Sequence, residues 1–224
     1  MHVAKLVCLQ QFCTPGKMSA DINQDFERCC KRKHSFWDDP IGELLLYLCE
    51  PRPWIRKIVA IAYNAKAFYS KFILNRALPM KWKPELILDV LKFASMKIKH
   101  KLFIDSVSYL PMPLSKLPDA FGLSITKSWY PNYYNKNMNL DYVGPIPDVS
   151  YFGVYEMSIS ERREFMTWYD DQKNKVLDNK LVLEKYYQYD VTVFRQACQI
   201  FRSEFMEIRN IGVFSWIVHH CNHV

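Results

Sequence analysis

The stretch from Leu102 to Gly122, LFIDSVSYLPMPLSKLPDAFG, decides the fold of this 224-residue chain. Its first residues form an apolar run of strand length, and the carboxylate of Asp105 closes that run. Three prolines follow, and they favour a change from strand to a short helix near Leu114 to Phe121. We therefore expect a strand over Lys101 to Ser108 that ends at a polar corner.

The residues before this stretch alternate between strand and helix patterns. Lys57 to Tyr63 contains a continuous apolar run, typical of a strand buried on both faces, and Asn64 ends it. Ala67 to Leu78 fits a helix that Pro79 stops, and Glu85 to Lys99 fits a hairpin. A strand, a helix, further strands and a helix in this order predict an α/β fold.

The residues after the stretch change in character. Ser124 to Tyr155 is rich in Tyr, Asn and Pro, which predicts a long surface connection with little regular structure. Ser158 followed by Glu161 is a capping-box pattern and predicts a helix start. A longer helix is expected from about Leu181 to Ile208.

The amino-terminal part opens with a strand-like run from Val3 to Phe12, followed by a polar segment that carries cysteines. A short helix is predicted next, because Asp38 and Asp39 can cap it and Pro40 fits its first position. The predicted regions are residues 1–36, a strand with a cysteine-bearing segment; residues 37–212, the main core; and residues 213–224, a short tail.

Composition places the chain among intracellular, folded proteins. Half of its residues are hydrophobic, the net charge is +7, and seven cysteines show no even pairing. We find neither a signal-peptide pattern at Met1 nor an apolar run long enough to cross a membrane. The charge is compatible with a nucleic-acid partner but does not demand one.

Asp190 is the first candidate for chemistry. It falls within a stripe of apolar residues at helical spacing: Leu183, Tyr187, Phe194, Ala197, Phe201, Phe205 and Ile208. A buried carboxylate needs a partner, which would be a metal ion or a hydrogen-bond donor. The alternative is an ordinary surface aspartate at the edge of a narrower stripe.

Several of these motifs together resemble the exonuclease domain of protein-primed family B DNA polymerases, of the Maverick/Polinton mobile-element or viral type. They are Leu102 to Gly122, Tyr142 to Asp148, and the Tyr186 and Asp190 pair, and the resemblance covers roughly residues 3 to 213. It implies a partial ribonuclease-H-like 3′-5′ exonuclease domain with a mixed sheet and a long C-terminal helix. It also implies Mg²⁺ or Mn²⁺, single-stranded or primer-terminus DNA, a terminal protein as partner, and a nuclear location.

The resemblance assigns roles to individual residues. Asp190 would bind metal, and Tyr186 would orient the attacking water. In the second exonuclease motif, Tyr63 stands where the family has a histidine, and Tyr69 stands where it has a metal-binding aspartate. A phenol has a pKa of about 10 and is a poor ligand for a hard cation at neutral pH.

The first exonuclease motif, an Asp and a Glu one residue apart, is absent before the cysteine segment, and we find no counterpart of the polymerase palm. Asp105 is a possible stand-in, but an ordinary structural residue is the favoured interpretation. Two-metal cleavage needs several carboxylates around paired ions. We therefore expect a polymerase fragment that is catalytically inactive on its own.

The resemblance also implies a set of DNA-binding residues: Asn64, Phe68, Ser106, Tyr109 and Leu110. The alternative for Ser106 to Leu110 is a strand end with a buried Tyr109. An alternative function is a non-catalytic single-stranded-DNA-binding or interaction module derived from a mobile element. It would use this segment with the basic residues Lys92, Lys97, Lys99 and Lys101, a pattern that otherwise indicates a solvated strand face.

Zinc is not expected. Relatives carry two Cys-x-x-Cys knuckles, but here Gly16 and Phe26 stand at the positions that should partner Cys13 and Cys29. Cys8, Cys30 and His34 are the other candidate ligands, at irregular spacing. The histidine-rich end, Trp216 to Val224, matches nothing in the polymerase pattern.

Overall fold

The computed structural model describes residues 4–12, 33–52, 57–65, 69–89, 92–125 and 127–209. Side chains are not described at residues 88, 89, 92–94 and 209. The chain divides into two compact units. The first contains the described residues up to Ser124 and from Val191 onward, and the second contains Ile125–Asp190.

The first unit is built on a mixed four-stranded sheet. Its elements in chain order are β1 (Val7–Gln10), β2 (Lys33–Phe36), α1 (Pro40–Cys49), β3 (Ile58–Ala62), α2 (Tyr69–Ala77), β4 (Glu85–Asp89), β5 (Lys92–Ile98), β6 (Lys101–Asp105) and α3 (Leu117–Ala120). The strand order in the sheet is β3-β6-β5-β4, with β3 parallel to β6 and the other pairs antiparallel. β1 and β2 form a separate antiparallel pair.

Side chains on the two faces of the sheet enter two different apolar clusters. On one face, Met96, Ile98 and Phe103 pack in a cluster with the buried faces of α1 and α2. On the other face, Leu102 and Ile104 pack with Cys198 in the last helix. Because alternate residues of a strand point to opposite faces, helices cover the sheet on both sides. The prediction of an α/β fold is confirmed.

Helix α1 begins as the sequence predicts. The carboxylate of Asp39 accepts a hydrogen bond from the backbone N–H of Gly42 at 3.2 Å, and Pro40 occupies the first turn. The second carboxylate oxygen of Asp39 accepts from Nε of Arg76 in α2 at 2.9 Å. One aspartate therefore caps α1 and joins it to α2.

The predicted hairpin is also present, as β4 and β5, and the predicted strand over Lys101 to Ser108 ends earlier, at Asp105. Ser106–Ser108 forms a 3₁₀ helix, because Asp105 caps the next turn instead of continuing the strand. Strand β3 differs from expectation in burial. All five of its residues are half-buried, because among the described strands it pairs only with β6 and lies at the sheet edge.

The second unit bears out the prediction that Ser124 to Tyr155 has little regular structure, but it corrects the prediction of a surface connection, because Tyr130 and Phe152 are buried. Its strands β7 (Val143–Pro145) and β8 (Val176–Asp178) pair, and helix α4 (Ile159–Gln172) follows the Ser158 cap. Phe165 is fully buried and packs against Phe152, Trp129 and Trp168. Because this aromatic core holds a series of short 3₁₀ helices together, the segment before α4 is folded despite its turn-rich composition.

The last helix, α5 (Asn179–Arg209), begins in the second unit and contributes its residues from Val191 onward to the first. In the first unit it is joined to β1 through Gln10. The Gln10 side chain donates to Thr192 Oγ1 at 2.7 Å and accepts from Arg195 Nε at 2.9 Å. No helix in the described ranges combines the length and hydropathy needed to cross a membrane.

Candidate functional site

One group of predicted site residues lies at the carboxyl ends of the parallel strands β3 and β6. Ala62 and Asp105, which end these strands, are paired residues in the sheet. Asn64 follows the first strand and Ser106 the second, so both lie at the same sheet edge, where α/β folds commonly bind ligands. Asn64 is exposed and has a positive φ of 52°, a conformation that asparagine tolerates better than most residues.

The residues of the predicted DNA-contact segment differ in how much surface they present. Ser106 is only 1% exposed, and its buried hydroxyl has no hydrogen-bond partner among the described residues. Leu110 is buried in the cluster around Cys198, and Tyr109 is half-buried against the same cluster. Of the predicted DNA-binding residues in this part of the chain, Asn64 and Tyr109 therefore present the accessible side-chain surface.

Asp105 is completely buried and has a local structural role. Its carboxylate accepts a hydrogen bond from the backbone N–H of Val107 at 2.9 Å and caps the 3₁₀ helix that follows. A carboxylate used in this way satisfies backbone donors at the end of the strand. This geometry accounts for Asp105 without a catalytic role.

Of the altered second motif, the structure describes Tyr63, Asn64 and Tyr69, whereas Phe68 lies outside the described residues. The Tyr63 hydroxyl donates to the Met112 carbonyl at 3.3 Å, and its ring meets that of Phe194 edge-on at 6.2 Å. Tyr63 thus connects the end of β3 to the proline-rich segment and to α5. Tyr69 is the first residue of α2 and is 47% exposed.

The second group, in the second unit, centres on Asp190. Its carboxylate accepts a hydrogen bond from the Lys127 ammonium at 2.6 Å, and the Asp190 side chain is 22% exposed. The sequence predicted that this carboxylate needs either a metal ion or a donor. Lys127 is such a donor, and it compensates much of the cost of partly burying the charge.

Aromatic rings enclose this ion pair. The Lys127 ammonium lies 3.7 Å from the centroid of the Tyr186 ring, a cation–π contact, and the Tyr189 hydroxyl donates to the Ile125 carbonyl at 2.8 Å. Burial lowers the pKa of Lys127, but hydrogen bonds and charge from Asp190 and Tyr186 raise it by more. The net pKa lies above its ordinary value, so Lys127 remains charged at neutral pH.

The apolar stripe predicted for α5 matches the burial of the helix only in part. Tyr187 is 39% exposed and Ile208 is 77% exposed, whereas Gln188 and Val193, outside the predicted stripe, are buried. The prediction assumed that one face is buried along the whole helix, but the residues of α5 belong to two units and its buried side chains are not confined to one face.

The Mg²⁺ or Mn²⁺ implied by the resemblance does not fit the donors at Asp190. Within the described ranges, no three His, Cys, Asp or Glu side chains lie close enough together to hold a metal ion. The close neighbour of the Asp190 carboxylate is a cation, which opposes a second positive charge at the same oxygen. A site for paired cations needs several converging carboxylates.

The cysteine knuckle lies largely outside the described residues, which exclude Cys13, Gly16, Phe26, Cys29 and Cys30, as well as the tail from Trp216 to Val224. Of the other candidate ligands, Cys8 contacts the Ser35 hydroxyl at 3.8 Å. His34 stacks on Phe36 and packs against Tyr47. His34 therefore takes part in the aromatic packing of the β1–β2 pair.

Lys127 was missed by sequence reasoning. It lies 63 residues before Asp190, in the segment expected to be an irregular surface connection. A single lysine in a Tyr- and Asn-rich segment has no periodicity or spacing that links it to a distant helix. Only the fold of the second unit brings these two side chains together.

One comparison with known proteins found a partial match. Over 59 residues the chain is 37% identical to a protein of Podospora anserina described as "Probable DNA polymerase". Part of this chain is DNA polymerase-like. The matched stretch covers 26% of this chain and 5% of the relative, so it does not carry over the activity of the whole relative. No protein-family model and no solved structure matches the chain.

Proposed function

We propose that this chain derives from the 3′-5′ exonuclease domain of a protein-primed family B DNA polymerase and does not cut DNA by itself. The observation that carries this proposal is the ion pair between Asp190 and Lys127. The aspartate and tyrosine of the third motif persist, but the carboxylate is held by a lysine, and Tyr69 stands at the position of the second-motif aspartate. The similarity to a DNA polymerase supports the descent.

The proposed fold is a partial ribonuclease-H-like domain. The mixed sheet, the helices on both of its faces and the long α5 are compatible with it. By the same descent, the proposed partners are single-stranded or primer-terminus DNA and a terminal protein, and the proposed location is the nucleus.

The lack of cleavage is tested with a 5′-labelled single strand incubated with the protein in Mg²⁺ or Mn²⁺. We expect no shortening above a metal-free control, because one aspartate cannot hold two cations. The matched control is Asp190→Ala, purified in parallel to reveal contaminating nucleases. Metal-dependent shortening by the wild type that disappears in Asp190→Ala would overturn the proposal of inactivity.

A second candidate function is non-catalytic binding of single-stranded DNA at the carboxyl ends of β3 and β6. The observation that favours it is the placement of Asn64 and Tyr109 at one sheet edge with accessible surface. Base stacking on an aromatic ring contributes about 1–3 kcal/mol. We therefore expect Tyr109→Ala to weaken binding of a short oligothymidylate by roughly tenfold, whereas Tyr133→Ala, which removes an exposed tyrosine of the second unit, should not.

A further inference from the structure

The opposite end of the four-stranded sheet carries a concentration of lysines. Here β3 and β6 begin, β5 ends and β4 begins. We use the name basic rim for four exposed lysines at this end: Lys57, Lys81, Lys83 and Lys99. They come from the residues that precede β3, precede β4 and follow β5, so separate segments of the chain contribute to one surface.

Strand register sets the positions of these lysines. Lys57 precedes Ile58, whose partner in β6 is Lys101, and Lys101 also pairs with Ile98 at the end of β5. The Lys99 ammonium lies 4.1 Å from the centroid of the Trp82 ring, which brings the segment before β4 against the turn after β5. Since neighbouring strands are about 4.8 Å apart, the rim spans roughly 15 Å.

Among the described residues, the carboxylates of Glu85 and Glu50 are paired with cations outside the rim. Glu85 at the start of β4 pairs with Lys97 at 3.3 Å, and Glu50 after α1 pairs with Arg52 at 3.4 Å. Neither of these ion pairs involves a rim lysine. The field of the rim reaches the end of α1, where burial raises the pKa of the Cys49 thiol while the charges of Lys99 and Lys101 act to lower it.

The rim is separate from the candidate DNA-binding edge. β6 runs five residues, and its first and last residues, Lys101 and Asp105, are about 13 Å apart at 3.3 Å per residue. The sequence-based alternative named Ser106 to Leu110 together with Lys92, Lys97, Lys99 and Lys101. Lys92 begins β5, whereas Lys97, Lys99 and Lys101 lie at the other end of the sheet, where β5 ends and β6 begins.

Clustered exposed lysines repel one another and favour a polyanion, because its phosphates release bound counterions when they are neutralised. A lysine is a point charge that binds phosphate without reading bases. Trp82 packs against the apolar core and carries Lys99 over its ring, so it is not an open platform for stacking a base. The exposed rim side chains are polar and offer nothing to insert into a lipid layer.

We propose that the basic rim is a second nucleic-acid-binding surface, which contacts the phosphate backbone without base readout. The proposal does not need Tyr109 or the exonuclease descent for the charge of the rim. Its choice of partner, single-stranded DNA, rests on the second candidate function proposed above.

The test removes the charge of three rim lysines without straining the backbone. Lys81 and Lys99 have positive φ angles of 58° and 54°, so Lys81→Asn and Lys99→Asn suit their conformation, and Lys83→Gln completes the variant. The matched control removes three exposed lysines of the second unit: Lys136→Gln, Lys173→Gln and Lys175→Gln. Thermal unfolding confirms that each variant is folded.

Binding is measured by fluorescence anisotropy with a labelled oligothymidylate over a series of potassium chloride concentrations. Each phosphate contact to a single strand contributes about 0.7 to the slope of log K against log salt concentration. We expect the rim variant to reduce that slope by about 2, the control to leave it unchanged, and a mixed-sequence strand to bind like oligothymidylate.

An unchanged slope in the rim variant, an equal reduction in the control, or the absence of salt-dependent binding by the wild type would overturn the proposal. Equal competition by vesicles containing phosphatidylserine would also overturn it, in favour of a membrane surface. The proposal and the inactive exonuclease are tested separately, because Asp190→Ala and Tyr109→Ala leave the rim intact.

Discussion

Asp190 keeps a position on a late helix that would suit a metal ligand, but its immediate partner is the Lys127 ammonium. An ion pair of this kind stabilises the folded state only if its geometry offsets the loss of hydration. The short contact and the Tyr186 ring over the ammonium supply that geometry. The ion pair and the Tyr186 ring therefore pack together as one group in the second unit.

Removal of Lys127 should destabilise the protein more than neutralisation of Asp190. Lys127→Met leaves a carboxylate that is 22% exposed without its donor, at a cost of about 1–3 kcal/mol. Asp190→Asn keeps a carbonyl oxygen that can accept from Lys127, so this variant should lose less unfolding free energy than Lys127→Met. Urea unfolding of both variants and the double variant measures the coupling, and independent, additive effects would contradict this account.

The same pair gives a defined pH dependence. Because the pKa of Lys127 in the folded protein lies above its ordinary value, the pair stabilises fully below about pH 10.4. That contribution is lost as the pH rises through the folded-state pKa. The difference in unfolding free energy between wild type and Lys127→Met should therefore be constant near neutral pH and shrink at alkaline pH. A difference that grows at alkaline pH would contradict a stabilising ion pair.

In helix α1, a glycine-to-alanine substitution should destabilise the protein, the opposite of its usual effect in a helix. Alanine normally stabilises a helix relative to glycine by about 0.5–1 kcal/mol. At Gly42, however, a Cβ would collide with the Asp39 carboxylate, which caps the helix and binds Arg76. Gly42→Ala should therefore displace the cap and lower stability, by about 1 kcal/mol.

The control for this prediction removes the obstacle. In an Asp39→Ala background the cap and the ion pair are already lost, so Gly42→Ala should stabilise the protein there. Circular dichroism melts of the two single variants and the double variant measure both effects. Destabilisation of similar size in both backgrounds would mean that the cap is not what opposes the Cβ.

Helix starts, turns and helices that are specified by neighbouring residues could be predicted from the sequence. Asp39 and Pro40 start α1, Asn64 turns the chain after β3, and α5 extends close to its predicted ends. Elements that depend on distant contacts could not. The core around Phe165 and the contact of Lys127 with Asp190 arise from tertiary packing, which neither periodicity nor composition encodes.

The candidate site was predictable only as a set of positions. Asn64 and Ser106 follow strands of recognisable pattern, so their location at strand ends could be anticipated. The burial of Leu110 could not, because it depends on packing around Cys198, which is far away in the sequence, and the burial of Ser106 had no sequence signal either. Whether these positions contact DNA is still a prediction.

Amide hydrogen exchange can show whether another strand pairs with the β3 edge of the sheet in the first unit. Among the described strands, β6 lies between β3 and β5, whereas β3 pairs on one side only. Amide hydrogen exchange followed by NMR should show all of β6 protected and only alternate amides of β3 protected. Protection of every amide in β3 would reveal another strand on that edge.

We propose that a nuclease-like scaffold persists in this chain without the carboxylates that hold paired cations. Mn²⁺ binding, followed by electron paramagnetic resonance, tests this most directly when the wild type is compared with Asp190→Asn. Because Lys127 already neutralises Asp190, we expect the two proteins to bind the same amount of Mn²⁺. Binding of about two ions per chain by the wild type, lost in Asp190→Asn, would contradict the claim.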